Sequence, residues 1–101
     1  MLVRHLSYFI ALARERHFAR AADACAITQP TLSAAIAKLE ADLSAPLVVR
    51  GRRFEGLTPE GERLLEWARG VVADYERLCG DLAGMRRDAS SFGVATARIG
   101  L

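Results

Sequence analysis

Cysteine is scarce in this chain of 101 residues, and the scarcity excludes a good deal. Its two cysteines, Cys25 and Cys79, are far apart and form no C-x-x-C pair. No Cys/His cluster has the spacing a zinc site needs, so a disulfide framework and a metal centre are both excluded, and the two thiols read as reduced packing residues. No run approaches the roughly 18 unbroken apolar residues of a membrane span, and Arg4 and His5 interrupt any signal-peptide pattern. A cytoplasmic protein with no membrane partner is expected. The chain lacks a Ser/His/Asp set, a glycine-rich phosphate loop and paired acids suited to a cleft. His5 and His17 have no carboxylate or cysteine partner at ligand spacing, so no catalytic residue, no metal and no enzyme activity are expected. Lysine is nearly absent as well: Lys38 stands alone against thirteen arginines.

What is present is a 51% hydrophobic composition, enough for the core of one small domain, and a lopsided charge. Residues 1–58 carry eight Lys or Arg against five Asp or Glu, whereas residues 59–88 carry five against seven. A mildly basic front part permits nucleic-acid binding without proving it.

Apolar periodicity then divides the front part into helices. Leu2, Leu6, Phe9, Ile10 and Ala13 recur at helical steps and predict an amphipathic helix that ends in the charged run RERH. A second, short helix starts near Phe18; Ala21, Ala22 and Cys25 give it a narrow face that another helix can cross closely. Thr28 is a good N-cap and Pro30 lies in a first turn where no amide is needed, so a third helix begins there. Leu32, Ala35, Ile36, Leu39 and Leu43 form its buried side, leaving Thr31, Ser33, Ala34, Ala37, Lys38 and Glu40 outward.

From Leu47 the period changes. LVVR and FEGL are short β-prone runs around GRR, which predicts a hairpin with arginines at its tip. Thr58 and Pro59 then restart a helix over residues 59–88, with Glu60 and Glu62 in its positive first turn. Leu64, Ala68, Val71, Tyr75, Leu78, Leu82 and Met85 make a heptad seam along it. A second copy of the chain is the simplest partner for that seam, and an intramolecular core is the alternative. Trp67, beside the seam, is expected to cover the junction with the head. The tail, residues 89–101, has loop composition followed by strand-like alternation and reads as a hinge and the start of a further domain.

Two short helices with a tight connection, the second polar at its N-terminus, followed by a basic hairpin, make a winged helix-turn-helix. In that geometry the recognition helix enters the major groove N-terminus first. Gln29 can bond adenine bidentately, Thr31 and Ser33 can reach base edges or phosphate, and Pro30 with the Thr31 methyl can touch a thymine methyl. Arg50, Arg52 and Arg53 suit phosphates or a narrow minor groove, and Lys38 suits a phosphate clamp. Taken alone, Thr28, Gln29 and Pro30 are also explained as a helix start, and the arginines as a solvated turn.

The runs HLSYFIALA, FARAADA, ITQPTLSAAIAKLEADL, PLVVR and LTPEGERLL, in this order, resemble the N-terminal DNA-binding domain of LysR-type transcriptional regulators from Leu2 to about Arg87. The resemblance implies a mostly α fold: a winged helix-turn-helix over residues 1–58, a linker and dimerisation helix over 59–88, and a truncated effector-binding domain beginning within 89–101. It implies double-stranded DNA as partner, held by Thr28, Gln29, Pro30, Thr31 and Ser33 of the recognition helix and by Arg50, Arg52 and Arg53 of the wing; the helix pattern itself adds Lys38 and the small Ala34, which lets the helix lie close to the DNA backbone. A homodimer through the linker helix follows, with a tetramer open to the longer protein. No cofactor is expected in this fragment; a small-molecule effector would bind the missing C-terminal domain. Three positions depart from the family pattern: His17 replaces a serine cap, Val48 a phenylalanine, and Ala34 an arginine that often contacts DNA. The rival readings are another winged-helix regulator, such as a molybdate-responsive repressor, and a protein-protein interaction module with a coiled-coil dimerisation helix.

Overall fold

The computed structural model describes residues 1–91. Four helices make up most of them: α1 (Val3–Glu15), α2 (Phe18–Ala24), α3 (Gln29–Leu43) and α4 (Pro59–Ser91). Each forms where the apolar period and a polar start coincide. α2 opens on His17, whose Nδ1 accepts the Arg20 N–H at 3.2 Å, so the imidazole does the work of a serine cap. α3 opens on Thr28, whose hydroxyl oxygen accepts the Thr31 N–H at 3.2 Å. Thr58 does the same for α4, accepting the Gly61 N–H at 3.0 Å, while its own hydroxyl donates to the Pro46 carbonyl.

The three short helices close at or just past their ends through residues in the left-handed region, none of them glycine: Arg16 (φ 55°), Ala26 (φ 57°) and Ser44 (φ 52°). Such backbone costs a side-chain-bearing residue roughly 1–2 kcal/mol. The tight connection between α2 and α3 needs it, because Ala26 turns the chain so that Ile27 donates to the Ala22 carbonyl at 3.0 Å.

The core lies where α1 packs on α2, α3 and α4 and where α2 packs on α3. Leu6, Phe9, Leu12, Leu32, Leu39 and Leu47 are fully buried there, each contributing about 1.5–3 kcal/mol by burial. Ala21 and Ala22 are small enough to bring α2 against α3, as the period predicts. Two apolar positions come out differently. Leu2 sits at the N-cap of α1 and Leu43 in the last turn of α3, and both remain exposed at the edge of the head.

The hairpin differs more. Where two strands were expected, the described residues hold a single antiparallel bridge, Val48 to Leu57, flanked by Val49 N–H to the Gly56 carbonyl at 2.9 Å and Thr58 N–H to the Leu47 carbonyl at 3.0 Å. Two features limit the pairing. Glu40 of α3 accepts the Leu47 N–H at 2.7 Å and the Val48 N–H at 3.4 Å, which draws the incoming segment onto the helix. Gly56, at φ 138°, breaks the extended run on the other side. The wing is therefore a pinned loop with one bridge.

α4 is 33 residues, about 50 Å long, and runs well past the head. Leu64, Leu65 and Ala68 join the head's core, and Gly61 lies so close to the Leu47 carbonyl that a Cβ there would collide with it. The molecule measures 59 × 24 × 19 Å. From residue 92 on, the expected hinge and strand fall outside the described residues.

Candidate nucleic-acid interface

α3 divides its residues cleanly. Leu32, Ala35, Ile36 and Leu39 face the core, while Thr28, Gln29, Pro30, Thr31, Ser33, Ala34, Ala37 and Lys38 are exposed. The exposed polar groups are not equally available. Thr28 and Thr31 share a hydroxyl-hydroxyl hydrogen bond of 2.8 Å, and Thr28 also serves as the cap. Gln29 and Ser33 have no side-chain partner among the described residues, so their hydrogen-bonding capacity is open to a ligand.

The wing meets α3 along two shallow grooves. One, of about 180 Å³, is lined by Ser33, Ala37 and Glu40 of α3 with Arg50 and Arg53 of the wing. The other, of about 190 Å³, brings Gln29 together with Arg52 and Arg53. Arg53 borders both. Of the expected site residues, Gln29, Ser33, Arg50, Arg52 and Arg53 border these two grooves, whereas Lys38 lies further along α3, where its ammonium pairs with Asp42 at 3.2 Å. Thr31 and Ala34 border a third groove, of about 350 Å³, against Arg4, His5 and Tyr8 of α1.

The cations fall into two classes. Arg50 approaches the Glu40 carboxylate at 3.8 Å and Lys38 is held by Asp42, whereas Arg52 and Arg53 have no carboxylate partner among the described residues. The Lys38 ammonium, and then the Met1 amine at 3.3 Å, hold the Asp42 carboxyl below the usual carboxylate range. Burial pushes the Cys25 thiol up, consistent with a packing role. No group of three His, Cys, Asp or Glu converges on a metal-sized site among the described residues.

Some residues of this surface are not expected on it from the sequence. Arg16 and His17, in the α1–α2 turn, border the groove of Gln29 and Arg52. Glu40, expected to face outward, instead holds the base of the wing and the Arg50 side chain. The Arg16 relation spans a long stretch of sequence, and the Glu40 relation depends on how the chain folds back after α3, which periodicity does not reveal.

The expected seam of α4 does not share one environment. Leu64 (8% exposed) and Ala68 (0%) are already covered by the chain's own head, and Val71 is half-buried against it. This departs from the expected seam, because the heptad period continues into the segment that packs on α1. Tyr75, Leu78, Leu82 and Met85 are 46–64% exposed. Trp67 borders a groove of about 620 Å³ with Met1, Leu43, Ala45 and Pro59, at the junction of α4 with the head.

Comparison with known proteins gives this surface its context. Residues 3–62 match the family described as bacterial regulatory helix-turn-helix proteins, lysR family. A hydrogen peroxide-inducible genes activator of Dickeya chrysanthemi is 43% identical over 91 residues, which are 90% of this chain and 30% of that protein. The chain thus spans about a third of that relative's length. Among solved structures, the complex of the BenM DNA-binding domain with benA site 1 DNA is similar at a TM-score of 0.76 and 35% identity, covering 84% of this chain and 99% of that one. The complex of the CbnR DNA-binding domain with DNA gives a TM-score of 0.72 and 36% identity, covering 89% and 99%.

Proposed function

The chain belongs to the lysR family of bacterial helix-turn-helix regulators, and from that premise we propose that its α3 and wing form a base-reading face for an interrupted palindrome. One observation carries the reading. The open amide of Gln29 and the unpaired guanidiniums of Arg52 and Arg53 border a single groove at the leading end of α3. A helix entering the major groove by that end presents Gln29 to a base edge while the arginines engage phosphates. Thr28, Pro30, Thr31, Ser33 and Ala34 complete the contact, with Arg50 and Lys38 at its margin. That two similar domains were solved with DNA supports the assignment.

In this reading residues 1–58 are the DNA-binding head, closed by a small wing, and residues 59–88 are the linker that joins two subunits. Leu78, Leu82, Met85 and Tyr75 are the part of the seam left for a second copy, since Leu64 and Ala68 are occupied at home. Residues 89–101 lead into an effector-binding domain, where a small molecule controls the longer protein in the cytoplasm and where a tetramer would be built. No described helix is long and apolar enough to cross a membrane.

Binding-site selection from a random duplex pool tests this directly. Enrichment of a two-fold-symmetric site, with half-sites about one helical turn or a multiple apart, is the expected result. Recovery of no shared sequence would overturn the base-reading role and favour a protein-docking head.

A further inference from the structure

The α1–α2 turn places an arginine where the backbone favours glycine. Arg16 sits at φ 55°, and its structural duty there is to donate its N–H to the Leu12 carbonyl at 2.8 Å. Glycine would make that bond with less strain, so the backbone gives no reason for a long charged side chain. The reason lies at the far end of the residue. The Arg16 guanidinium stands 5.3 Å from the centroid of the Phe54 ring, and Phe54 is in turn fixed edge-on against Phe18 at 6.3 Å.

Seated this way, Arg16 borders the same groove as His17, Gln29, Arg52 and Arg53. Neither Arg16 nor the two wing arginines has a carboxylate partner among the described residues. Three guanidiniums around one groove repel each other until an anion enters. His17 uses its Nδ1 to cap α2. The groove lies beside the residue placed to read a base.

We propose that this groove seats a backbone phosphate of the bound DNA, next to the base contacted by Gln29, and that Arg16 is a further phosphate contact supplied from outside the recognition helix and the wing. The inference rests on the DNA-binding reading above. A guanidinium seated over an aromatic ring keeps its forked donors free for phosphate oxygens. The phosphate also relieves the repulsion between Arg16 and the wing, so binding and the position of the wing are coupled.

The test uses the chain with two variants, Arg16→Gly and Arg16→Lys, titrated by fluorescence anisotropy across a salt series against a selected duplex and a mixed-sequence duplex. Arg16→Gly retains the left-handed turn and should stay folded by circular dichroism. Its affinity should fall by the same factor on both duplexes, about tenfold, and the log-log salt slope should become shallower by about one phosphate per protomer. Arg16→Lys should keep the slope. An unchanged affinity and slope in Arg16→Gly would overturn the proposal, and so would a loss in Arg16→Lys equal to that in Arg16→Gly, because packing on Phe54 would then carry the effect. A wild-type chain that binds neither duplex would overturn the DNA-binding reading itself.

Discussion

The two halves of α4 carry one apolar period and meet two environments. Up to Val71 the period is covered by the chain's own head, with Leu64, Leu65 and Ala68 part of its core. From Tyr75 to Met85 the same period stands open to solvent. A heptad pattern therefore fixes which face of a helix is apolar and leaves open what covers it. The cations of the head divide in the same manner: Lys38 and Arg50 are engaged with acids of α3, and Arg52 and Arg53 are not. In both cases the chain itself leaves part of the surface unsatisfied, and the proposed partners would sit there.

The contrast can be broken by mutation. The largest effect is expected from Leu64→Ala, which removes a buried side chain from the core and should cost about 2–4 kcal/mol of folding stability, read as a lower urea midpoint. An unchanged midpoint would mean that this half of α4 is not part of the head. Leu82→Ala should leave the head's folding intact while weakening self-association about tenfold to a hundredfold, because each of two chains loses roughly 1 kcal/mol or more of apolar burial. Sedimentation equilibrium checks this, and a self-association constant that does not move would remove Leu82 from the interface.

On the DNA face, Gln29→Ala should cost about 1–3 kcal/mol on a selected site and relax preference at one base position. Arg52→Ala should weaken all duplexes alike and reduce the salt slope by about one, whereas Lys38→Ala, whose ammonium is already engaged, should move the slope less. Equal slopes for the two variants would erase the distinction between paired and unpaired cations.

The smallest effect concerns the junction. The Asp42 carboxyl is held below its ordinary value by Lys38 and the Met1 amine, so its stabilising contribution is present above the unfolded-state value of about 3.9 and is lost as pH falls through the lower folded value. Asp42→Asn should flatten the acid limb of stability slightly, and an identical limb in both proteins would contradict the assignment.

Much of this architecture is legible in the sequence because local rules agree. Thr28 before Gln29 and Pro30 marks the start of α3, and Thr58 before Pro59 marks that of α4, through capping that depends on neighbours alone. The buried side of α3 follows from its period up to Leu39. The hairpin was overread, since β-prone residues do not reveal that a carboxylate on α3 takes the Leu47 and Val48 amides. Nor does spacing reveal that Arg16 reaches Phe54, a contact made only once α1, α2 and the wing are packed. Leu64 and Ala68 look like seam residues because the period that buries them in the head runs on without a break.

Amide hydrogen exchange on the chain, with and without the selected duplex at a fixed protein concentration, tests the central claim most directly. At a concentration where the chain is already dimeric, the account predicts new protection at the α1–α2 turn, the first turns of α3 and residues 50–54, with the exposed half of α4 unchanged. Protection along Tyr75 to Met85, with none at Gln29 or Arg52, would contradict it.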